Sequence, residues 1–404
     1  AMEVRPILST LRRHKTAAAL MVLEIAVTCA ILCNAVFLIV DRIDRVTLPS
    51  GLAEHELVQI RLSDIAAREG QKARIARDFE LLRRIPGVKS AALVSQVPFG
   101  NRSRAGGVNL TPDQPKATLN AALWDIDEHF FETTGVRVIA GRAFAPDEYH
   151  DFNDVFATGE MPQVPVVMVT RRTAEKVFPG QDPLGKTIYI WTTPSRIVGV
   201  VDELARPNAN VQAPYSVLMP VRQTIGSGYF LLRTDRAQRD AVRIAAVDAL
   251  MNADRDRVVV KQENLDDVRK DYFRQDAAMA WLLVAVCVAL LVVTALGIVG
   301  LASFWVQQRT ATIGIRRALG ATRGQILRYF QTENFLLTTA GIALGLAGAL
   351  AINLVVMAHY ELPRLPWIYL SIGAIVLWLL GQLAVLGPAL RAAALPPAAV
   401  MRLR

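Results

Sequence analysis

This chain predicts a membrane protein, α-helical with four transmembrane helices, carrying an α+β domain of two subdomains between the first and second. Three observations predict it. Four apolar runs, Ala17 to Val40, Ala277 to Val306, Phe335 to Ala358 and Trp367 to Leu390, reach the roughly 20 residues a helix needs to cross a bilayer. Between the first two lies a long stretch of ordinary polarity in which strand and helix patterns alternate. Charge is divided unequally, since residues 41–276 hold 32 Lys plus Arg and 32 Asp plus Glu, leaving the net +9 to the rest of the chain.

The first run exceeds a signal-peptide core and is followed by the charged DRIDR rather than by small residues, so it reads as an anchor. Orientation follows from Arg5, Arg12, Arg13 and Lys15, from Arg309, Arg316, Arg317, Arg323 and Arg328, and from Arg391, Arg402 and Arg404, which flank the spans on one side. The positive-inside rule makes that side the cytoplasm. The expected layout is a cytoplasmic segment 1–16, spans at 17–40, 277–306, 335–358 and 367–390, a periplasmic domain 41–276, a cytoplasmic loop 307–334, a periplasmic loop 359–366 and a cytoplasmic tail 391–404. The excess of basic residues thus reports topology, and no nucleic-acid partner is expected.

Of the three cysteines, Cys29 and Cys33 lie one helical turn apart in the first span and Cys287 lies in the second, so the external domain has no disulfide. The five histidines show no ligand spacing, and no metal site is expected. Along the domain, ELVQIRL, VKSAALVSQV and ATLNAALW read as strands, and QKARIARDFELLRRI as an amphipathic helix stopped by Pro86-Gly87. HFFETTG and RRTAEKVF read as short helices, PVVMVT, TIYIWTT, RIVGVVDE, YFLLRT and RVVVKQ as strands, and AQRDAVRIAAVDALMNAD as a helix. The middle part, about 120–227, is expected to form a subdomain inserted into the other. No Pro or Gly falls between Val258 and Leu296, so a single helix from Asn264 to Val306 is expected, roughly 64 Å at 1.5 Å per residue.

Two motifs mislead. Gly180 to Thr187 fits the phosphate-loop pattern GxxxxGK[ST], but a helix precedes it and a strand follows, the reverse of what lets a helix N-terminus meet phosphate. Pro183 also removes a loop N–H. The acids Asp147, Glu148, Asp151 and Asp154 with His150 lack calcium-loop spacing and read as a solvated loop. No catalytic constellation appears, so the chain is expected to be a non-catalytic subunit without a cofactor of its own. Glu24, a carboxylate inside an apolar run, is a functional candidate or a partner of Thr28.

The loop RTATIGIRRALGATRGQILRYFQTEN carries the strongest signal. Ile313, Ile315 and Leu319, then Ile326, Leu327 and Phe330, give apolar faces opposite Arg316, Arg317, Arg323 and Arg328. Gly320 stops a first short helix and Thr322-x-x-Gln325 has the capping-box form that starts a second. Such a basic amphipathic helix suits anionic lipid or a cytoplasmic partner. Gly341-x-x-x-Gly345 and Gly348 make a small-residue face for close helix packing.

At IGIRRALGATRGQIL the chain resembles the permease subunits of MacB/FtsX-type ABC transporters. WDIDEHFFETTGVRVIAGRAF and PVVMVTRRTAEKVFPGQDPLGKTI resemble their periplasmic core domain, and PALRAAALPPAAVMRLR resembles their tail. The resemblance implies a bacterial inner-membrane protein gripped by a cytoplasmic ABC ATPase dimer that binds ATP and Mg. Ile313, Gly314, Ile315, Arg316, Arg317, Ala318 and Leu319 would form the coupling helix, and Gly320, Ala321 and Thr322 its exit turn. It further implies a second permease subunit, as homodimer or heterodimer, and efflux with a periplasmic adaptor and outer-membrane channel. Lipoprotein or lipid extraction and transmembrane signalling share this layout. Thr312 and Ala399 stand where similar sequences usually carry acids.

Overall fold

The computed structural model describes residues 15–65, 70–156, 163–208, 214–224, 228–360 and 365–394, without the side chains of 311 and 356–360. The expectations on Arg5, Arg12, Arg13, Ala399, Arg402 and Arg404 lie outside the described residues. The chain divides into two compact units, one from its two ends, up to Val46 and from Gln275, and one spanning Thr47–Arg274.

Helix α1 (Lys15–Val46) contains the first apolar run and continues past it through the ion pair Asp41–Arg45. In the second unit, β1 (Leu57–Asp64), α2 (Gln71–Arg83) and β2 (Val88–Val94) form where alternation and helical spacing mark them. They are followed by β3 (Ala105–Asn109), β4 (Leu119–Asp125), α3 (Phe130–Thr134), β5 (Val138–Gly141), β6 (His150–Asp151) and α4 (Phe152–Phe156). Next come β7 (Val166–Thr170), α5 (Arg171–Val177), β8 (Thr187–Ile190), β9 (Thr193–Val201), β10 (Ser216–Met219) and β11 (Val221–Arg222). The unit closes with β12 (Tyr229–Thr234), α6 (Arg239–Ala253), β13 (Arg257–Asn264) and α7 (Leu265–Tyr272).

Two sheets result. A four-stranded antiparallel sheet has the order β13-β1-β12-β2, and Ile60, Leu93 and Leu232 from it pack with Leu82 of α2 and with Val242, Ala246 and Leu250 of α6. These helix residues recur every three or four positions, which is why one face of each helix is buried. A seven-stranded mixed sheet has the order β5-β9-β7-β10-β4-β3-β8, and its Val167, Val169 and Ile197 pack with Ala174 and Val177 of α5. The second sheet reaches back to Ala105, so it begins before the expected 120.

The expected strand TIYIWTT is instead a hairpin. Ile190 pairs with Thr193 across a two-residue turn, and Trp191 takes a left-handed φ of 57° there, which ends the strand before Thr192. Strands β3, β5 and β10 had no clear period in the sequence, and they gain their state from neighbours in the sheet.

The expected single helix from Asn264 to Val306 is interrupted. Helix α7 ends at Tyr272, Phe273 leaves helical geometry at φ −93° and ψ 7°, and α8 (Arg274–Gln308) starts anew. The cause is side-chain burial, since the Phe273 ring, 3% exposed, sits 5.2 Å from Phe99 and 4.8 Å from Tyr272. Phe99 itself holds a left-handed φ of 60° under Arg269, whose guanidinium lies 4.3 Å over its ring and pairs with Glu54.

The first unit continues with α9 (Thr310–Ala318), α10 (Arg323–Tyr360) and α11 (Trp367–Ala394). Among the described residues four helices, α1, α8, α10 over Arg323–Val355, and α11, are long and apolar enough to cross a membrane. Ile25, Cys29 and Cys33 of α1 pack with Ile342 and Ala349 of α10 and with Leu370 and Leu377 of α11. Helix α8 is the least enclosed, and exposes Trp281, Leu282, Val293 and Leu296.

Candidate functional site

Between α8 and α10 the loop forms a built structure. At its entrance Arg309 caps α8, with its guanidinium 5.6 Å over the Trp305 ring, and Arg309 Nη1 donates to Glu333 Oε2 at 2.8 Å. Two further bonds of 3.1 Å run to Glu333 Oε1, so the pair is bidentate and largely withdrawn from solvent. It ties the start of the loop to the third turn of α10.

Helix α9 then runs from Thr310 to Ala318 and terminates as its sequence dictates. Ala321 N–H donates to Arg316 O at 3.0 Å and Gly320 N–H to Arg317 O at 3.1 Å, a Schellman turn in which Gly320 takes φ +96°. The capping box follows directly, with Gln325 N–H donating to Thr322 Oγ1 at 3.3 Å and Thr322 N–H to Gln325 Oε1 at 2.9 Å. The turn from one helix to the next is thus satisfied internally and has a fixed geometry.

The two faces of α9 differ. Ile313 and Gly314 are buried, and Ile313 packs with Val306, Ile326, Phe330, Ala389 and Ala392. Arg317 donates to Ala393 O at 2.9 Å, while Arg316 lies 5.1 Å over the Tyr329 ring. Opposite them Ile315 is 61% and Leu319 83% exposed, flanked by exposed Thr312, Arg316, Ala318 and Thr322, with Ala321 half-buried. Exposed apolar side chains at i and i+4 beside arginines form a contact face with its own support behind it.

Gly341, Gly345 and Gly348 face α1 within the chain. A methyl group at Gly345 would lie 2.4 Å from Cys29 Cβ and 2.7 Å from Ala26 O, and one at Gly341 would lie 2.7 Å from Ile25 Cβ. At Gly348 the nearest atom, Ala30 Cβ, is 3.5 Å away. Glu24 faces α8, where a methyl at Gly297 would meet its Oε1 at 2.5 Å. Thr28 bonds instead to Thr294 Oγ1 at 2.8 Å, so it is not the partner of Glu24. Sequence reasoning missed the Arg309–Glu333 and Thr28–Thr294 pairs. A polar residue in each of two consecutive apolar runs is the signal that could have found the second.

The misleading motifs are accounted for locally. Lys186 donates to Gln181 Oε1 at 2.5 Å and lies 4.5 Å over Phe178, while Asp202 pairs with Arg137 and Arg171. Glu148 pairs with Arg142, which, against the cost of its desolvation, holds its carboxyl below the usual range, and Lys72 pairs with Asp151. Among the described residues no group of three or more His, Cys, Asp or Glu is placed to hold a metal ion.

Four bilayer-length helices, an α+β domain between the first two and a supported amphipathic helix in the second connection give the layout of a multi-pass membrane protein with an inserted domain. The family described as MacB-like periplasmic core domain matches residues 16–259, and that described as FtsX-like permease C-terminal matches residues 284–397. The chain belongs to this MacB/FtsX family of ABC transporter permeases.

It is 30% identical over 279 residues to the macrolide export ATP-binding/permease protein MacB of Neisseria gonorrhoeae, covering 67% of this chain and 41% of that one. To the protein of the same name from Chromobacterium violaceum it is 26% identical over 244 residues, covering 59% and 36%. The chain spans about two fifths of the length of the curated relatives it matches. Among solved structures it is similar to the periplasmic region of MacB from Actinobacillus actinomycetemcomitans, with TM-score 0.33, 16% identity, and coverage of 55% of this chain and 94% of that one. The extracellular domain of the ABC-type transporter YknZ from Gram-positive bacteria gives TM-score 0.32 and 16% identity, over 50% and 100%.

Proposed function

We propose that the chain is the membrane subunit of an ABC transporter that receives the stroke of a separate cytoplasmic ATPase dimer at α9 and passes it to the periplasmic domain. The observation that carries this reading is the exposed pair Ile315 and Leu319 on a short helix whose opposite face is packed and whose C-terminal end is closed by the Gly320 turn. A helix braced in this way moves as one piece with α10 and α11 when a partner presses on it. The basic residues around it support a cytoplasmic position for the loop by the positive-inside rule. ATP and Mg belong to the partner.

The exposed apolar side of α8 meets membrane lipid or a second permease subunit, identical or related. Efflux with a periplasmic adaptor and an outer-membrane channel is the role proposed, in line with the export function named for the relatives. The test is co-expression with a candidate ABC ATPase partner from the same genome. The two copurify, and Arg316→Glu abolishes copurification while the permease stays folded. Unchanged copurification would remove α9 as the docking element.

A further inference from the structure

Within the external domain a groove of about 320 Å³ lies between α2 and the two-stranded β6–β11 pairing. This lies at the lower end of the roughly 300–1,000 Å³ typical of small-molecule sites. One wall is α2, which contributes Ile75, Ala76 and Phe79, and Leu93 of β2 lies at the base. The other wall is made by Asp127 to His129 after β4, by Asp151 of β6 and by Arg222 of β11 with the two residues that follow it. An apolar and aromatic strip on α2, flanked on that helix by Lys72, Glu80 and Arg83, therefore faces a wall that carries Asp127, Glu128, Asp151 and Arg222.

The charges are unequally satisfied. The lining holds the carboxylates of Glu80, Asp127, Glu128 and Asp151 against three side-chain cations, Lys72, Arg83 and Arg222. Lys72 is engaged by Asp151 at 2.5 Å and Arg222 by Glu128. Arg83 lies 5.4 Å over the Phe79 ring and 3.8 Å from Glu80. Asp127, only 5% exposed, accepts from main chain alone, from Leu93 N–H at 2.7 Å and His129 N–H at 3.1 Å. Among the described residues no cation lies within ion-pair distance of it. A buried carboxyl with no ion-pair partner, beside an aromatic and aliphatic strip, is complementary once ionised to a positive charge borne on an apolar body.

We propose that this groove is a binding site for an amphipathic organic cation, whose apolar body lies on Ile75, Ala76 and Phe79 and whose charged nitrogen meets Asp127. Under the permease reading such a cation is cargo presented to the external domain. Binding is measured without an ATPase, so its failure and the failure of that reading are separate results.

The probe is 4-phenylbutyltrimethylammonium, whose charge is permanent, titrated by calorimetry into the full chain in nanodiscs of zwitterionic phospholipid, with 4-phenylbutanesulfonate as the anionic counterpart. The cation binds saturably and the sulfonate does not. Asp127→Asn, which keeps an acceptor for the main-chain N–H groups, weakens cation binding at least about tenfold. Ala76→Arg, at an exposed position of α2 where the fold is not at risk, weakens it as much. The proposal is overturned if the cation shows no saturable binding, if the sulfonate binds as well, or if Ala76→Arg binds as the parent does.

Discussion

Arg309 and Glu333 lie 24 residues apart and form a bidentate ion pair in which the carboxylate side chain is only 2% exposed. The pair joins the end of one bilayer-length helix to another across the whole length of the α9 turn. Removing one member leaves a buried charge unanswered, which costs about 3–5 kcal/mol. All three cysteines are buried in the helical unit, so reaction with a thiol-specific dye on heating reports its opening. Arg309→Ala lowers that transition markedly, and the swap Arg309→Glu with Glu333→Arg recovers part of it. A transition unchanged in Arg309→Ala would show that the pair is not structural.

The contact between α10 and α1 predicts a graded response along one helix face. Gly345→Ala drives a methyl into Cys29 Cβ and a backbone carbonyl that cannot give way, whereas Gly348→Ala reaches only ordinary contact with Ala30. Overpacking of this kind costs about 1–3 kcal/mol. The dye transition falls for Gly345→Ala and stays near the parent for Gly348→Ala. Equal behaviour of the two would mean that the helices are not this close.

Burial pushes Asp127 up to about 7 and Asp125 up to about 6. Both carboxyls then hold a proton in the folded state over a range in which the unfolded chain, near 3.8, has lost it. Their contribution is therefore greatest below pH 4 and declines as pH rises toward 6 for Asp125 and 7 for Asp127. Asp254 acts in the opposite sense. Against its desolvation, the N–H of Asp256 and the guanidinium groups of Arg74 and Arg257 hold it down to about 2, so its stabilisation is lost as pH falls below 3.8. Amide exchange in β2, corrected for the intrinsic pH dependence, shows protection falling between pH 4 and 7. In Asp127→Asn that decline is reduced, and an unaltered decline would remove Asp127 as its source.

The spans were legible because a bilayer demands long apolar runs, and a run of this kind has few other uses. The α9 turn was legible down to its atoms, since Gly320 and the Thr322–Gln325 pair satisfy backbone groups locally and need no distant partner. What stayed hidden depends on residues far apart in the chain. Trp191 turns the backbone where its β-rich surroundings suggest a strand, and Phe273 breaks a helix of good formers to bury its ring against Phe99. Neither is visible in a local window. The groove around Asp127 is equally non-local, assembled from α2 and from connections that follow β4 and β11.

On the proposed function, α9 is the element a separate ATPase presses upon. The most direct measurement is ATP hydrolysis by the partner ATPase, reconstituted in nanodiscs with the full chain or with Ile315→Asp and Leu319→Asp variants. Both positions are exposed, so the thiol-dye transition stays at the parent value in each. The account predicts that the parent chain alters the hydrolysis rate and that each variant loses this effect. Variants that couple to the ATPase as fully as the parent does would contradict it.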